Sequence, residues 1–183
     1  ATPPTPVTVQ KMSLALGGNA PFIVFDDADL DAAVAGAMAS KYRNAGQTCV
    51  CSNRFLVQDG IYDAFAAKLA TAVAELKVGH RMEEGDTQGT LSDDPAINKV
   101  EELVKDAVDK GARVVTGGKR HALGRTWYEP TILADVTAGM AVAKAVGVGP
   151  VAPLFRFKSE AEAVQMANDT EFGLAAYFYS RDV

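Results

Sequence analysis

Two cysteines separated by one residue are the side chains of this sequence best suited to nucleophilic chemistry. Cys49 ends the segment NAGQTC (residues 44–49), and Cys51 follows two positions later. The segment lies between a predicted helix and a predicted strand, so we expect Cys49 in a turn at the edge of a sheet. A thiolate there can attack a carbonyl carbon, and the backbone amide of Cys49 can stabilise the resulting oxyanion. Composition alone favours the opposite interpretation, a buried and unreactive cysteine.

Few other side chains show a pattern typical of a binding or metal site. Arg43 precedes Cys49 by six residues and could form bidentate bonds with a carboxylate. The alternative is a solvated arginine favoured by the dipole at a helix end. His80 and His121 are the two histidines, and neither has a partner at the spacing of metal ligands. We therefore expect both histidines to face solvent and predict no metal site.

The elements that must position these residues alternate between strands and helices. Residues 21–25 form a continuous apolar run, typical of a strand buried on both faces, and Asp29 can cap the helix that follows. Further strands are predicted at residues 54–58, 113–116, 129–133, 152–157 and 175–179, and further helices at residues 61–76, 95–110 and 159–168. This alternation predicts an α/β fold, a three-layer αβα domain with a mostly parallel sheet.

Composition limits the classes of partner. The chain has 183 residues, of which 48% are hydrophobic and 22% charged, with a net charge of −5. The acidic balance and the absence of a basic cluster argue against nucleic acid, so a small-molecule substrate is expected. No apolar run reaches the roughly 20 residues of a membrane span. Two closely spaced cysteines indicate a reducing, cytoplasmic setting. Residues 1–10 are predicted to be an extended arm or linker, and residues 11–183 the folded domain.

Four motifs resemble those of the aldehyde dehydrogenase superfamily. Residues 44–49 resemble its cysteine signature, and residues 14–21 (LALGGNAP) resemble its second signature. The segment FGL at residues 172–174 and the pair Gly149-Pro150 resemble two later motifs in the same order and spacing. The resemblance implies the catalytic-domain fold of that family and an aldehyde substrate. It also implies that Cys49 is the nucleophile, that its thiohemiacetal passes a hydride to NAD or NADP, and that water hydrolyses the thioester.

Neighbours of Cys49 indicate a subfamily. Arg43 resembles the arginine with which succinate-semialdehyde dehydrogenases bind the distal carboxylate of their substrate. Cys51 resembles a second cysteine of that subfamily, which can form a reversible disulfide with the nucleophile, although a small buried thiol is an equal alternative. A bond between cysteines so close would be strained and easily reduced. Asn44, which opens the signature, is a further candidate catalytic residue.

Three departures from the family pattern predict impaired chemistry. Ala15 stands where the family has the glutamate that activates the deacylating water, and a methyl group cannot accept a proton. Val146, within residues 145–148 (AVGV), stands where a glutamate holds the nicotinamide ribose. The family's NAD(P)-binding half has no counterpart here, so we expect this chain alone to bind no cofactor.

Three functional hypotheses follow. The first is the catalytic domain of a succinate-semialdehyde dehydrogenase-like oxidoreductase, impaired or inactive by itself. The second is an excised or redesigned non-catalytic scaffold. A degenerate natural paralogue would have a similar sequence. In such a scaffold, residues 141–151 (AVAKAVGVGPV) would form an exposed apolar surface that favours self-association. The third is a cofactor-free thiol esterase that is acylated at Cys49.

Overall fold

The computed structural model describes residues 17–80 and 85–182. The strands are β1 (Ala20–Val24), β2 (Ser52–Gln58), β3 (Arg113–Thr116), β4 (Thr131–Ala134), β5 (Val151–Phe157) and β6 (Tyr177–Tyr179). The helices are α1 (Leu30–Lys41), α2 (Tyr62–Ala74), α3 (Asp94–Asp109) and α4 (Glu160–Asn168). Two 3-10 turns cover Arg43–Gly46 and Ala141–Ala143. The predicted helix and strand positions agree with these bounds to within about two residues.

The six strands form one mixed sheet in the order β3-β4-β5-β2-β1-β6. All neighbouring pairs are parallel except β3 with β4. In the centre, Phe22 of β1 is opposite Phe55 of β2, which is opposite Leu154 of β5. These strands are buried on both faces because helices cover each side of the sheet.

Helices pack on both faces of the sheet and form two hydrophobic cores. One core joins α1 and α2 to the sheet through Phe22, Phe55, Tyr62, Phe65 and Leu69. The other joins α3 and α4 to the opposite face, with Leu56, Ile97, Val100, Leu133 and Phe155 among its members. Alternate residues of one strand, such as Phe55 and Leu56, thus enter different cores. This confirms the predicted three-layer αβα architecture.

Polar side chains cap the starts of α1 and α4, the first at Asp29 as the sequence predicts. The Asp29 carboxylate accepts hydrogen bonds from the backbone amides of Asp31 and Ala32 at 3.1 Å. The Ser159 hydroxyl accepts from the amide of Glu162. Glu162 also bonds back to the start of this helix, where its carboxylate accepts from the amide of Lys158, the residue before Ser159.

The expected apolar surface at residues 141–151 is wrong for most of that segment. Val142, Ala143, Val148 and Val151 are buried, because the segment folds against α3 and leads directly into β5. Large exposed hydrophobic side chains lie elsewhere, among them Leu174 and Phe178, each 59% exposed. Self-association through residues 141–151 stays a prediction.

Some predictions fall outside what the structure describes or concern absences. The arm at residues 1–10 and Ala15 lie outside the described residues. Within residues 17–80 and 85–182, no helix is long and apolar enough to cross a membrane. The same residues contain no group of three or more His, Cys, Asp or Glu side chains placed to hold a metal ion.

Candidate active site

Cys49 lies where the amino ends of three adjacent parallel strands meet. It precedes β2, while Gly17 and Gly18 precede β1 and Gly149 precedes β5. A cavity of about 390 Å³ opens between these segments. It is lined by Gly17, Gly18, Gly46, Gln47, Thr48, Cys49, Asn53, Leu91, Ser92, Ala96, Val100, Val146, Gly147 and Gly149. The topology therefore brings together Cys49 and Val146, two residues that are far apart in the sequence.

The Cys49 side chain is accessible and unbonded. It lies in a turn closed by a 2.9 Å hydrogen bond from the amide of Cys51 to the carbonyl of Thr48. The residue is exposed and its thiol is free. Its backbone N–H finds no acceptor among the described residues. Cys49 thus offers an accessible sulfur and an amide without an acceptor among the described residues, the two groups that favour acylation of a thiol. This accessibility argues against the inert-cysteine alternative.

The backbone before Cys49 is held in a conformation that few residues adopt. Asn44 and Ala45 both have φ of 53°, and Gly46 has φ of 71°. A Cβ atom on Gly46 would lie 1.9 Å from the carbonyl oxygen of Gly149. Only glycine therefore permits this contact between the cysteine segment and the start of β5. Left-handed residues in succession are costly and commonly occur at functional sites.

The Gln47 side chain braces the cysteine segment. Its Nε2 donates to the carbonyls of Asn44 and Thr90, each at 3.1 Å. Its Oε1 accepts from the amide of Ser92 at 2.8 Å. One side chain thus joins the segment before Cys49 to the loop that leads into α3, on the opposite side of the cavity.

Gly17 and Gly18, here called the glycine wall, form another side of the cavity. A Cβ atom on Gly18 would lie 2.8 Å from the carbonyl oxygen of Cys49 and 3.2 Å from Cβ of Leu174. A Cβ atom on Gly17 would lie 2.8 Å from Cγ1 of Val146. The wall therefore packs directly against the cysteine turn, and any side chain there would displace it.

The segment around Val146 presents apolar rather than acidic groups to the cavity. The Val146 side chain meets Gly17, and its carbonyl accepts a 2.5 Å hydrogen bond from Nζ of Lys99. None of the lining residues in the described part of the chain is an aspartate or a glutamate. The polar side chains among them are Gln47, Thr48, Asn53 and Ser92. Within the described residues, the cavity thus has no carboxylate that could act as a general base.

Cys51 occupies a different environment from Cys49. It is 1% exposed, and its Sγ lies 4.0 Å from the carbonyl oxygen of Arg43. The two thiols are both free. A disulfide between them would require Cys51 to leave the core, so the redox pairing stays a prediction that needs rearrangement of the turn.

The remaining predicted site residues do not line the cavity. Arg43 and Asn44 are exposed, and the Arg43 guanidinium forms no ion pair with a described residue. Their roles stay predictions. His80 is exposed, as expected, and its ring meets that of Trp127 edge to face at 5.1 Å. His121 is only partly exposed.

Sequence reasoning missed the buried polar side chains beneath the site. Lys41, Asn19, Asn53 and Arg54 are each at most 3% exposed. Burial lowers the pKa of the Lys41 amine from 10.5 to about 7, and nearby Cys51 opposes the shift. The polar start of β2, a strand that is otherwise apolar and central, is a signal that could have found Asn53 and Arg54. It could not have found Lys41, which ends α1.

Comparison with known proteins identifies the family. The model of the aldehyde dehydrogenase family matches residues 5–183. The 3-sulfolactaldehyde dehydrogenase of Pseudomonas putida is 64% identical over 176 residues, which are 96% of this chain and 36% of that protein. The NADP succinate-semialdehyde dehydrogenase of Escherichia coli K12 is 62% identical over 175 residues, with the same coverage.

A solved structure indicates the same family as these two relatives. The crystal structure of succinate-semialdehyde dehydrogenase from Burkholderia pseudomallei has a TM-score of 0.93 and 64% identity, and covers 96% of this chain and 36% of that one. The chain thus spans about a third of the length of the proteins it matches. The resemblance inferred from the motifs is confirmed: the chain belongs to the aldehyde dehydrogenase family and is similar to its succinate-semialdehyde dehydrogenases.

Proposed function

We propose that this chain is the catalytic segment of a succinate-semialdehyde dehydrogenase-like oxidoreductase, in which Cys49 is the nucleophile. The observation that supports this most is the exposed Cys49 thiol in a cavity built from the amino ends of three strands. The sulfur forms a bond to the aldehyde carbon, and the thiol proton passes to the aldehyde oxygen. The product is a thiohemiacetal, and the unused Cys49 amide stabilises the negative charge that develops on the oxygen.

The proposed substrate class is a small aldehyde with an anionic group at its far end. Two of the relatives are named for succinate semialdehyde and 3-sulfolactaldehyde, whose far ends are a carboxylate and a sulfonate. Arg43 is exposed and free of ion pairs with described residues, six positions before Cys49. A guanidinium binds both kinds of oxyanion through paired N–H donors. Arg43 does not itself line the described cavity, but the segment that follows it leads directly to Cys49, and we propose that its long side chain holds this distal group at the cavity's edge.

The cavity does not suit the nicotinamide cofactor in the way the family implies. At Val146 an isopropyl group packs against Gly17, and none of the described lining residues offers a carboxylate to ribose hydroxyls. Apolar contact cannot replace those hydrogen bonds. We therefore propose no hydride transfer by this chain alone, and its chemistry stops at the covalent adduct on Cys49.

Protection of Cys49 from alkylation tests both the nucleophile and the substrate class. Iodoacetamide labelling of Cys49, followed by peptide mass spectrometry, distinguishes Cys49 from Cys51. We expect succinate semialdehyde to slow the labelling at lower concentrations than butanal, which lacks the carboxylate. Arg43→Met should abolish that difference, while Arg125→Met, at another exposed arginine, should preserve it. Equal protection by both aldehydes would contradict the role of Arg43, and no protection would contradict that of Cys49.

A second candidate function, a cofactor-free thiol esterase, is favoured by the exposed sulfur of Cys49 and by its amide, which has no acceptor among the described residues. An activated ester such as 4-nitrophenyl acetate would transfer its acetyl group to Cys49 and release 4-nitrophenol. Without a carboxylate in the described cavity, hydrolysis of the acetyl-cysteine should be slow. A burst of 4-nitrophenol without sustained turnover is therefore expected. Sustained, Cys49-dependent turnover would instead establish a true esterase.

A further inference from the structure

Lys41 is a fully buried lysine directly beneath the cysteine segment. It ends α1, two residues before Arg43, and its relative exposure is 0%. Its Nζ donates a 3.1 Å hydrogen bond to Oδ1 of Asn53, and among the described residues it has no carboxylate partner. Fully buried lysines are rare unless paired with an anion. A lysine kept here without one therefore needs a reason beyond packing.

The surroundings of Lys41 weaken its positive charge. Burial lowers the pKa of the amine to about 7, and the thiol of Cys51, in the turn before β2, is the titratable group that acts on it in the opposite direction. The amine donates its hydrogen bond to the uncharged amide of Asn53, from β2. Lys41 thus changes its charge near neutral pH, where an exposed lysine stays fully protonated.

Asn53 connects Lys41 to the cavity through hydrogen bonds. Because Lys41 donates to Oδ1, the amide group must present its nitrogen in the other direction. Nδ2 of Asn53 then donates to the carbonyl oxygen of Gly18 at 3.3 Å. Asn53 itself lines the cavity, and Gly18 packs against the carbonyl of Cys49. Two hydrogen bonds therefore connect the Lys41 amine to the glycine wall beside the nucleophile.

We propose that Lys41 is a positioning residue for Cys49, which fixes the Asn53 amide and, through it, the glycine wall against which the cysteine turn is packed. The inference rests on the proposed role of Cys49 as nucleophile. Lys41 contacts neither the substrate nor the Cys49 sulfur, so its effect on the reaction is indirect. Loss of the amine would free the Asn53 amide to rotate and would release Gly18 from its anchor.

The test is the rate of Cys49 acetylation by 4-nitrophenyl acetate between pH 6 and pH 9. Lys41→Met removes the donor, and we expect a rate about tenfold lower, the order of one lost hydrogen bond. Lys41→Gln keeps an N–H donor that does not titrate, and should recover most of the rate. Deprotonation of Lys41 removes the charge that strengthens its hydrogen bond to Asn53, so the wild-type pH profile should contain a step near pH 7 that both variants lack. Lys105→Met, at an exposed lysine of α3, is the control and should match the wild type.

A double-mutant cycle with Asn53→Ala distinguishes positioning from general destabilisation. If Lys41 acts through Asn53, Lys41→Met should slow acetylation no further in a chain that already carries Asn53→Ala. Circular dichroism verifies that each variant is folded, and Lys41→Gln keeps the test decisive if Lys41→Met does not fold. Additive effects of Lys41→Met and Asn53→Ala on the acetylation rate would overturn the proposal. So would a rate and pH profile that match the wild type in both Lys41→Gln and Lys41→Met. Absence of acetylation in the wild type would overturn the role of Cys49 first, and this inference with it.

Discussion

At the scale of single residues, the site combines one exposed reactive group with a set of buried polar braces. Cys49 is accessible, whereas Lys41, Asn53 and Cys51 beneath it are buried. Gln47 connects the two sides of the cavity through two hydrogen bonds, to Thr90 and Ser92, and forms a third to Asn44 within its own segment. Buried or bridging polar groups of this kind hold a loop in one conformation, because leaving any of them unpaired is costly.

Gln47→Glu should weaken both the fold and the reactivity of Cys49. A carboxylate can still accept from the Ser92 amide but cannot donate to the carbonyls of Asn44 and Thr90. We expect the free energy of unfolding to fall by about 2 kcal/mol, measured by urea denaturation, and Cys49 acetylation to slow.

Gln58→Glu is the matched control for Gln47→Glu. Gln58 also accepts from an amide, that of Asp26, and donates to a carbonyl, that of Lys158, but it lies at the far end of β2. This substitution should lower stability and leave the acetylation rate of Cys49 unchanged. If both substitutions slow acetylation equally, Gln47 has no specific role in holding the cysteine segment.

Lys41 should make the stability of the fold increase with pH between about 7 and 10.5. Because burial lowers the pKa of Lys41 from 10.5 to about 7, the unfolded chain binds a proton in this range that the folded chain does not. Stability is therefore gained as pH rises above 7 and lost as pH falls toward it, with a slope of at most about 1.4 kcal/mol per pH unit. Urea midpoints at pH 7.5 and pH 9 should differ less in Lys41→Met than in the wild type. Equal differences in the two proteins would show that Lys41 is not buried in this way.

At the scale of elements, the pattern of the sequence predicts most of the fold but not the contacts that shape the site. The apolar run before Asp29 and the periodicity of α2 and α3 reflect burial, which side-chain type reveals directly. The left-handed backbone at Asn44 and Ala45 leaves no such trace, since neither residue requires it. The buried position of Lys41 was equally hidden, because a lysine in the last turn of a helix is ordinarily a solvated one.

Arg54 joins β2 to the end of α4, and Arg54→Lys should destabilise this contact. Its guanidinium donates to the carbonyls of Asn19, Met166 and Ala167 at distances from 2.7 to 3.2 Å. The last two carbonyls are in the final turn of α4, where Met166 also accepts from the amide of Asp169 and Ala167 has no backbone donor among the described residues. A lysine cannot span these acceptors, so we expect a loss of about 3 kcal/mol in urea denaturation. Arg156→Lys, at a surface ion-pair cluster, should cost less than about 1 kcal/mol, and an equal cost for both would contradict the account.

At the scale of the whole molecule, the chain has the architecture of its family but spans about a third of the length of its relatives. The motifs identified the family and placed Cys49 and Val146 among the important positions. They could not show that these two residues line one cavity, because that depends on the strand order β5-β2-β1. Nor could they show that two other predicted residues, Arg43 and Asn44, do not line this cavity.

No NADH or NADPH should form when this chain meets succinate semialdehyde with NAD or NADP. The described cavity has no carboxylate, and Val146 fills the space beside Gly17. The measurement is the near-ultraviolet absorbance of the reduced cofactor, with Cys49→Ala as control. A rise in absorbance that depends on Cys49 would mean that other groups support hydride transfer, and would refute the proposal that the chemistry stops at the adduct.

The role of Cys49 is tested most directly by mass spectrometry of the chain after brief exposure to 4-nitrophenyl acetate. We predict one acetyl group on Cys49, absent from Cys49→Ala, and its persistence after the ester is removed, because the described cavity provides no base for deacylation. Acetylation of Cys49 no faster than that of the buried Cys51, or no acetylation at all, would contradict the account.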